Sequence, residues 1–288
     1  MKVSVVIPTC NRPHLIKQTL DSVLKQSFQD FEIIVVDDGI KERVEKAVKS
    51  YNDSRIRYIQ HEVNKGGGVA RNTGIKNAVG EYIAFLDDDD EWLNEKLEMQ
   101  VKALDEANEE VGFCFTAVEN ILDNKTEKSK IPEGLNDYHE LSLISFKKFL
   151  TVTLVVKKKV FDSVGTFDES LPSHQEAELM IRVTEKYKGI GINVPLVMVN
   201  MKSGHDSVGK NFARRIKGEE MLLEKHFDKY KKRRRVLAKH YFQIGLWCRD
   251  NGEKKKARGY FFKAWRSDYF KVRYLLHYLY SFLFLHKK

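Results

Sequence analysis

Cysteine is scarce: Cys10, Cys114 and Cys248 are odd in number and widely spaced. They offer no disulfide framework and no zinc-ligand spacing, which points to a reducing compartment, taken as the cytoplasm. Proline is scarce too, five in 288 residues. No Gly/Ser-rich stretch marks a linker, so a boundary near residue 210 rests only on a change of pattern. The opening MKVSVVIPT runs straight into strand-like sequence and lacks the charged start and long apolar stretch of a signal peptide. Spanning a membrane takes roughly 20 clean apolar residues, and the most apolar stretch, 269–285, is interrupted by Lys271, Arg273 and His277. The phosphate fingerprints GxGxxG and GxxxxGK[ST] are absent, which removes the common dinucleotide and ATP classes.

What is present is a chain with 42% hydrophobic residues, enough for a core. Residues 3–8, 31–38, 55–60 and 81–90 read as strands, the first two rich in Val and Ile. Between them, a helix starting near Pro13, a helix over 41–51 and a helix over 68–79 follow from apolar spacing and a glycine loop. A further helix is expected over 91–107. Beyond it, 111–119, 151–161 and the GINVPLVMVNM segment read as strands, and 174–187 as a helix. Strand and helix alternating every ~30 residues imply an α/β architecture with a mostly parallel sheet covered on both faces. Ligands of such sheets sit beyond the carboxyl ends of the strands. Those ends carry Thr9, Asp37-Asp38 and Asp87 to Asp90, so acidic and polar residues converge on one edge.

Four consecutive aspartates repel one another unless a cation is present. Asp89 or Asp90 could cap the following helix, a task for which one acid suffices. Four at a ligand edge favour a hard divalent ion, Mn²⁺ or Mg²⁺, which neutralises charge on a leaving diphosphate. Asp38 could accept from a ribose or a base, or could simply form the turn before Gly39. The glycines of NKGGGVARNTGI allow close approach to an anion, and Arg71 one turn later could pair with a phosphate.

VSVVIPTCNRPHLIKQTLDSVLKQSFQDFEIIVVDDG followed by NKGGGVARNTGIKNAVGEYIAFLDDDDEW resembles the family 2 inverting glycosyltransferases of GT-A fold. The likeness is continuous over about 100 residues and weaker to about 205. It implies that Pro8, Thr9, Asn11, Arg12, Asp38, Gly68, Arg71 and Asp88 surround the nucleotide-sugar donor. Asp38 and Thr9 would hold the base and Asp88 the ribose. It implies a metal site of Asp87, Asp89 and His205, with Asp89 the direct ligand and Asp90 in support. HQEAELMIRV matches the segment that carries the family's catalytic base and places Glu176 there, with Glu178 the neighbouring candidate. The family usually has Asp at this position. Ile40 is a second departure, since relatives have Ser and then an acid after the glycine.

The resemblance therefore implies transfer from a nucleotide-sugar, a UDP-sugar, to a glycan or lipid-linked acceptor. Residues 1–105 would bind the donor, 106–210 would serve acceptor and catalysis, and 211–288 would be a helical extension. A nucleotidyltransferase that makes nucleotide-sugars, and a non-catalytic scaffold subunit, are the other readings. The net charge of +9 is concentrated at the C-terminal end, in KKRRR at 231–235 and KKK at 254–256. Helices are expected over 212–229, 231–250, 253–265 and 268–285. The piece IGLWCRDNGEKKKARGYFFKAW resembles one tetratricopeptide-type hairpin. Basic and aromatic residues in the last helix suit an anionic membrane surface, which would place the protein at the inner face of the membrane. A helix buried in a dimer or in its own core is the alternative. No nucleic-acid-reading motif is present.

Overall fold

The computed structural model describes residues 1–144, 148–201 and 211–283. The chain divides into two compact units, one of Met1–Glu169 with Glu176–His205, the other of Ser170–Gln175 with Asp206–Lys288.

The first unit is built on one mixed sheet. Its strands are β1 (Val3–Thr9), β2 (Phe31–Asp37), β3 (Ile56–Gln60), β4 (Tyr82–Phe85), β5 (Glu91–Trp92), β6 (Val111–Ile121), β7 (Thr126–Lys128), β8 (Gly134–Asn136), β9 (Val155–Lys157) and β10 (Lys188–Asn200). The helices are α1 (Ile16–Leu24), α2 (Glu45–Lys49), α3 (Gly67–Asn77), α4 (Lys96–Asp105), α5 (His139–Ile144), α6 (Lys158–Val164) and α7 (Gln175–Lys186). Strand order is β3-β2-β1-β4-β9-β6-β10-β5, with β7 on β6 and β8 on β10. Parallel pairing joins β3, β2, β1 and β4, and separately β6 and β10. β9 bridges the two groups antiparallel to both neighbours.

Period-2 alternation along β1 sends side chains to two cores. Val3, Val5 and Ile7 pack with Ile16, Leu20, Leu97 and Val101 of α1 and α4. Val6 joins Ala70, Ile75, Leu179, Met180 and Val183 of α3 and α7 on the other face. Gly74 lets α3 approach β1: a Cβ there would stand 2.2 Å from Val6 Cγ1. Because β2, β1 and β4 are adjacent and parallel, their carboxyl ends lie side by side.

Three elements differ from expectation. Residues 151–161 are not one strand but a 3-10 turn, the short β9 and the start of α6. An apolar run cannot tell a buried strand from a buried helix, and here Val160 and Phe161 reach the core from α6. The helix expected from residue 91 begins at Lys96, because Glu91-Trp92 pairs with Met198 and Val197 of β10. Asp89 and Asp90 are therefore not its caps. The helix over 41–51 shrinks to α2, since the Asp37 carboxylate accepts from Gly39 and Val44 N–H and ties the chain into a turn.

The second unit holds α8 (Phe212–Lys225), α9 (Phe227–Lys231), α10 (Arg234–Asp250), α11 (Lys254–Ser267) and α12 (Val272–Leu283). Asn211 caps α8 by accepting from the Arg214 N–H at 3.0 Å. α10 and α11 form a hairpin across Asn251-Gly252, with Gly245 against the Phe261 ring. Glu219, fully buried, sits between His240 and His174. Among the described residues, no helix is long and apolar enough to cross a membrane.

Candidate active site

The carboxyl edge of β1 is joined to β4 by side chains. Thr9 Oγ1 donates to Asp88 Oδ2 at 2.5 Å. Arg12 spreads its guanidinium over two acids, reaching Asp88 at 2.5 Å and Asp89 at 2.8 Å. Asp88 is wholly buried, and burial pushes its carboxyl up to about 6, against the pull of Arg12 and Thr9. The acids lie past the end of β4 in a turn, closed by the Asp90 N–H on the Asp87 carbonyl at 3.2 Å, and the other three carboxylates converge apart from Asp88. One oxygen from each of Asp87, Asp89 and Asp90 lies within 4.8 Å of the others.

Among the described residues that donor set is three carboxylates, which fits a hard divalent cation. Asp90 supports the fit. It is buried, and burial with the charges of Asp87 and Asp89 lifts its carboxyl to about 8. The peptide N–H of Asn200 donates to it at 3.0 Å, which brings the end of β10 to the cluster. Expected only as support, Asp90 thus stands within the acid group itself. His205, expected to complete it, lies outside the described residues.

Arg71 ties this cluster to the Phe167 segment. Its guanidinium donates to Asp87 at 2.6 Å and lies over the Phe167 ring, 5.8 Å from the centroid. Burial opposes its charge, but Asp87, Glu176 and Asp88 outweigh burial and hold Arg71 above its ordinary value. Glu176 is therefore within electrostatic reach of the acid edge, although 89 positions separate it from Asp87 in the sequence. The two acids of α7 differ sharply. Glu178 is fully buried and bound by Arg182 through Nε at 2.9 Å and a terminal nitrogen at 2.7 Å. Arg182 in turn donates to the carbonyls of Val164 and Thr166. Glu178 is a structural tie, whereas Glu176 in the first turn of α7 stays half-buried.

Other expected donor residues are engaged in holding loops. Asp38 accepts from His61 Nδ1 at 2.8 Å and from the N–H groups of Lys65 and Gly66 at 2.8 and 2.7 Å, so it fixes the glycine loop. Asn11, at φ 55°, accepts from the N–H groups of Ile40, Lys41 and Glu42. This clamp holds the loop in which Ile40 stands exposed. Gly39 is required beneath it, since a Cβ would fall 2.6 Å from the Asn11 nitrogen. Pro8 is buried in β1, and Gly68 is buried in the first turn of α3. Sequence reasoning missed His61, which joins Asp38 to Thr73, and Asn72, which exchanges hydrogen bonds with the Phe167 backbone. The ARN triplet beside the glycines was the available signal for Asn72. A lone histidine after β3 gave none.

Residues 4–167 match Glycosyl transferase family 2. The chain belongs to this family. An uncharacterized glycosyltransferase of Rickettsia felis is 34% identical over 209 residues, covering 70% of this chain and 33% of that protein. The UDP-Glc:alpha-D-GlcNAc-diphosphoundecaprenol beta-1,3-glucosyltransferase WfgD of Escherichia coli is 39% identical over 122 residues, 42% of this chain and 47% of WfgD. The chain thus spans between a third and a half of the length of these two relatives. Among solved structures, S. aureus TarS 1–349 in complex with UDP-GlcNAc superposes with a TM-score of 0.71 at 18% identity, covering 93% of this chain and 81% of that one. The mannosyltransferase PcManGT of Pyrobaculum calidifontis, in complex with GDP-Man and Mn²⁺, gives 0.60 at 19% identity, over 91% and 74%. At these identities the structures establish the fold alone: a GT-A-type α/β domain followed by C-terminal helices.

Proposed function

We propose that this chain transfers a sugar, with inversion, from a nucleotide-sugar donor to a hydroxyl of a glycan or lipid-linked acceptor. One observation carries the reading: Arg71 binds Asp87 of the acid cluster and is drawn by Glu176 of α7. The donor-side acids and a half-buried carboxylate thereby share one locality, as a displacement at an anomeric carbon requires. UDP is the preferred nucleotide, supported by the UDP-glucose named for WfgD and the UDP-GlcNAc of the TarS complex.

Asp87, Asp89 and Asp90 would hold Mn²⁺ or Mg²⁺, and His205 remains the expected further ligand. When bound, the ion offsets the negative charge that grows on the departing diphosphate. The protein's own groups do the rest. Arg12 can turn its guanidinium from Asp88 and Asp89 toward a donor phosphate, where bidentate geometry suits it. Asp88, held by Thr9 beside the site, can accept from a ribose hydroxyl. Glu176 takes the proton of the acceptor hydroxyl as its oxygen attacks. The extra methylene of Glu over Asp moves that carboxylate outward from α7. Glu178 cannot share the task while Arg182 occupies both its oxygens. A lipid-linked acceptor, of the kind WfgD's name describes, would place the reaction at the cytoplasmic membrane surface.

Thermal-shift titration with nucleotides and nucleotide-sugars, with and without Mn²⁺, tests the reading. A metal-dependent rise with one nucleotide class, lost in Asp89→Ala, is expected. Asp89→Ala keeping both the shift and the transfer would remove the cation from Asp89.

A further inference from the structure

The helical unit carries a surface that the transfer reaction does not use. Over residues 211–283 it holds 20 Lys and Arg against seven Asp and Glu, a net +13, although the whole chain is only +9. The positive charge therefore belongs to this unit. Within it, α12 has its two faces reversed from the usual arrangement of a surface helix. Tyr274 and Ser281 are buried, and the Tyr274 and His277 rings pack on Phe242, at 4.8 and 4.9 Å between centroids. The opposite face shows Val272, Leu276 and Leu279, spaced i, i+4 and i+7, with 62%, 58% and 53% of each exposed. Phe270, 83% exposed, extends the stripe at the helix entrance, beside the exposed Tyr269.

Cations interleave with these rings. Arg234 lies over Tyr269 at 5.6 Å, Arg266 over Phe262 at 5.9 Å and Arg258 over Phe282 at 3.9 Å. Lys271 and Arg273 stand exposed at the start of the stripe. An aliphatic stripe rimmed by aromatic rings and guanidinium groups matches a bilayer interface, with hydrocarbon below and phosphate beside it. A second copy matches less well, because it would bring one unit of net charge +13 against another. The 12 described residues of α12 are too few to span a bilayer and suit a helix lying along the surface.

We propose that α12 and the Tyr269-Phe270 entrance dock this protein on an anionic lipid bilayer, with Val272, Leu276 and Leu279 entering the acyl boundary and the flanking Arg and Lys on lipid phosphates. The proposal rests on the helical unit alone and stands apart from the transfer reaction. The full chain is floated with vesicles of phosphatidylcholine, alone and mixed with phosphatidylglycerol. Binding to the mixed vesicles only is expected, weakening as salt screens the phosphates. Leu276→Ser/Leu279→Ser should reduce that binding by about tenfold or more, because both side chains leave the hydrocarbon. Lys271→Ser/Arg273→Ser should reduce the preference for phosphatidylglycerol. The two leucines are more than half exposed, so circular dichroism and Tm of their variant should stay close to the parent; Lys271→Ser alone, which leaves Arg273 over the Phe242 ring at 5.0 Å, is the matching control for the charge variant. No flotation with mixed vesicles, or equal flotation of the leucine variant, overturns the proposal. So does light scattering that finds an oligomer dissociated by the leucine variant. Binding to poly-U that depends on the same two leucines would reassign the face to nucleic acid.

Discussion

Replacing Glu178 with Gln should weaken the fold, whereas replacing Glu176 with Gln should stop the reaction in an intact fold. Glu178 is fully buried and Arg182 is 20% exposed. Three contacts of 2.9, 3.1 and 2.7 Å join them. Breaking a buried pair by removing one partner costs about 3–5 kcal/mol. Gln keeps one acceptor oxygen, and Arg182 keeps the carbonyls of Val164 and Thr166 as well as part of its hydration. Those remnants lower the expected loss to about 2–3 kcal/mol. For a chain of this size that is a fall in Tm of about 4–10 °C. Glu176 is half-buried in the first turn of α7, so its Gln variant should unfold within about 0.5 kcal/mol of the parent. Its transfer rate should fall about 100- to 10,000-fold if it is the base, with the nucleotide-dependent thermal shift retained. Calorimetry and a donor-consumption assay on both variants decide the matter. A folded Glu176→Gln protein that transfers at the parent rate would refute the base assignment. An unchanged Tm in Glu178→Gln would refute the tie.

Asp89→Asn should abolish the Mn²⁺-dependent rise in Tm, and Asp87→Asn should weaken it by loosening Arg71 as well as removing a carboxylate; both are read by differential scanning fluorimetry. Gly39→Ala should cost about 1–3 kcal/mol in urea unfolding, because its Cβ would fall 2.6 Å from a backbone nitrogen of the Asn11 clamp. Lys96 gives a pH signature. It is fully buried over the Trp92 ring at 4.0 Å, and burial lowers its ammonium to about 7 from 10.5. Between pH 7 and 10.5 the unfolded chain holds this proton and the folded one does not, so Lys96 makes stability rise with pH across that window. Lys96→Met should remove that rise and increase stability near pH 7 by roughly 1–3 kcal/mol. A parallel pH dependence in the variant and the parent, measured by urea unfolding, would count against it.

Sequence alone determined the elements whose signals are local. The apolar runs of β1 and β2 and the spacing in α1 mark the buried strands and helix, because each reflects which side chains one element buries. Thr9 at the end of β1 and the acids at the ends of β2 and β4 had to share an edge once those strands were parallel, and Thr9 does meet Asp88. Tertiary structure decided how the acids divide. Asp88 turns to Thr9, 79 positions away, while Asp87, Asp89 and Asp90 bring their carboxylates together, with Arg71 on Asp87 and Arg12 bridging Asp88 to Asp89. Nothing within the DDDD run distinguishes these directions. Likewise, Glu176 and Glu178 are equivalent as letters in a helical turn, and only Arg182, anchored on the carbonyls of Val164 and Thr166, withdraws one of them. The 151–161 segment was read as a strand because its apolar residues suit strand and helix equally, and antiparallel β9 stops at Lys157, opposite Tyr82 where β4 begins. The composition of α12 was legible as basic and aromatic, but not which face it buries. That choice belongs to Phe242 and Phe261, on helices that must first pack against each other before α12 has a surface to meet.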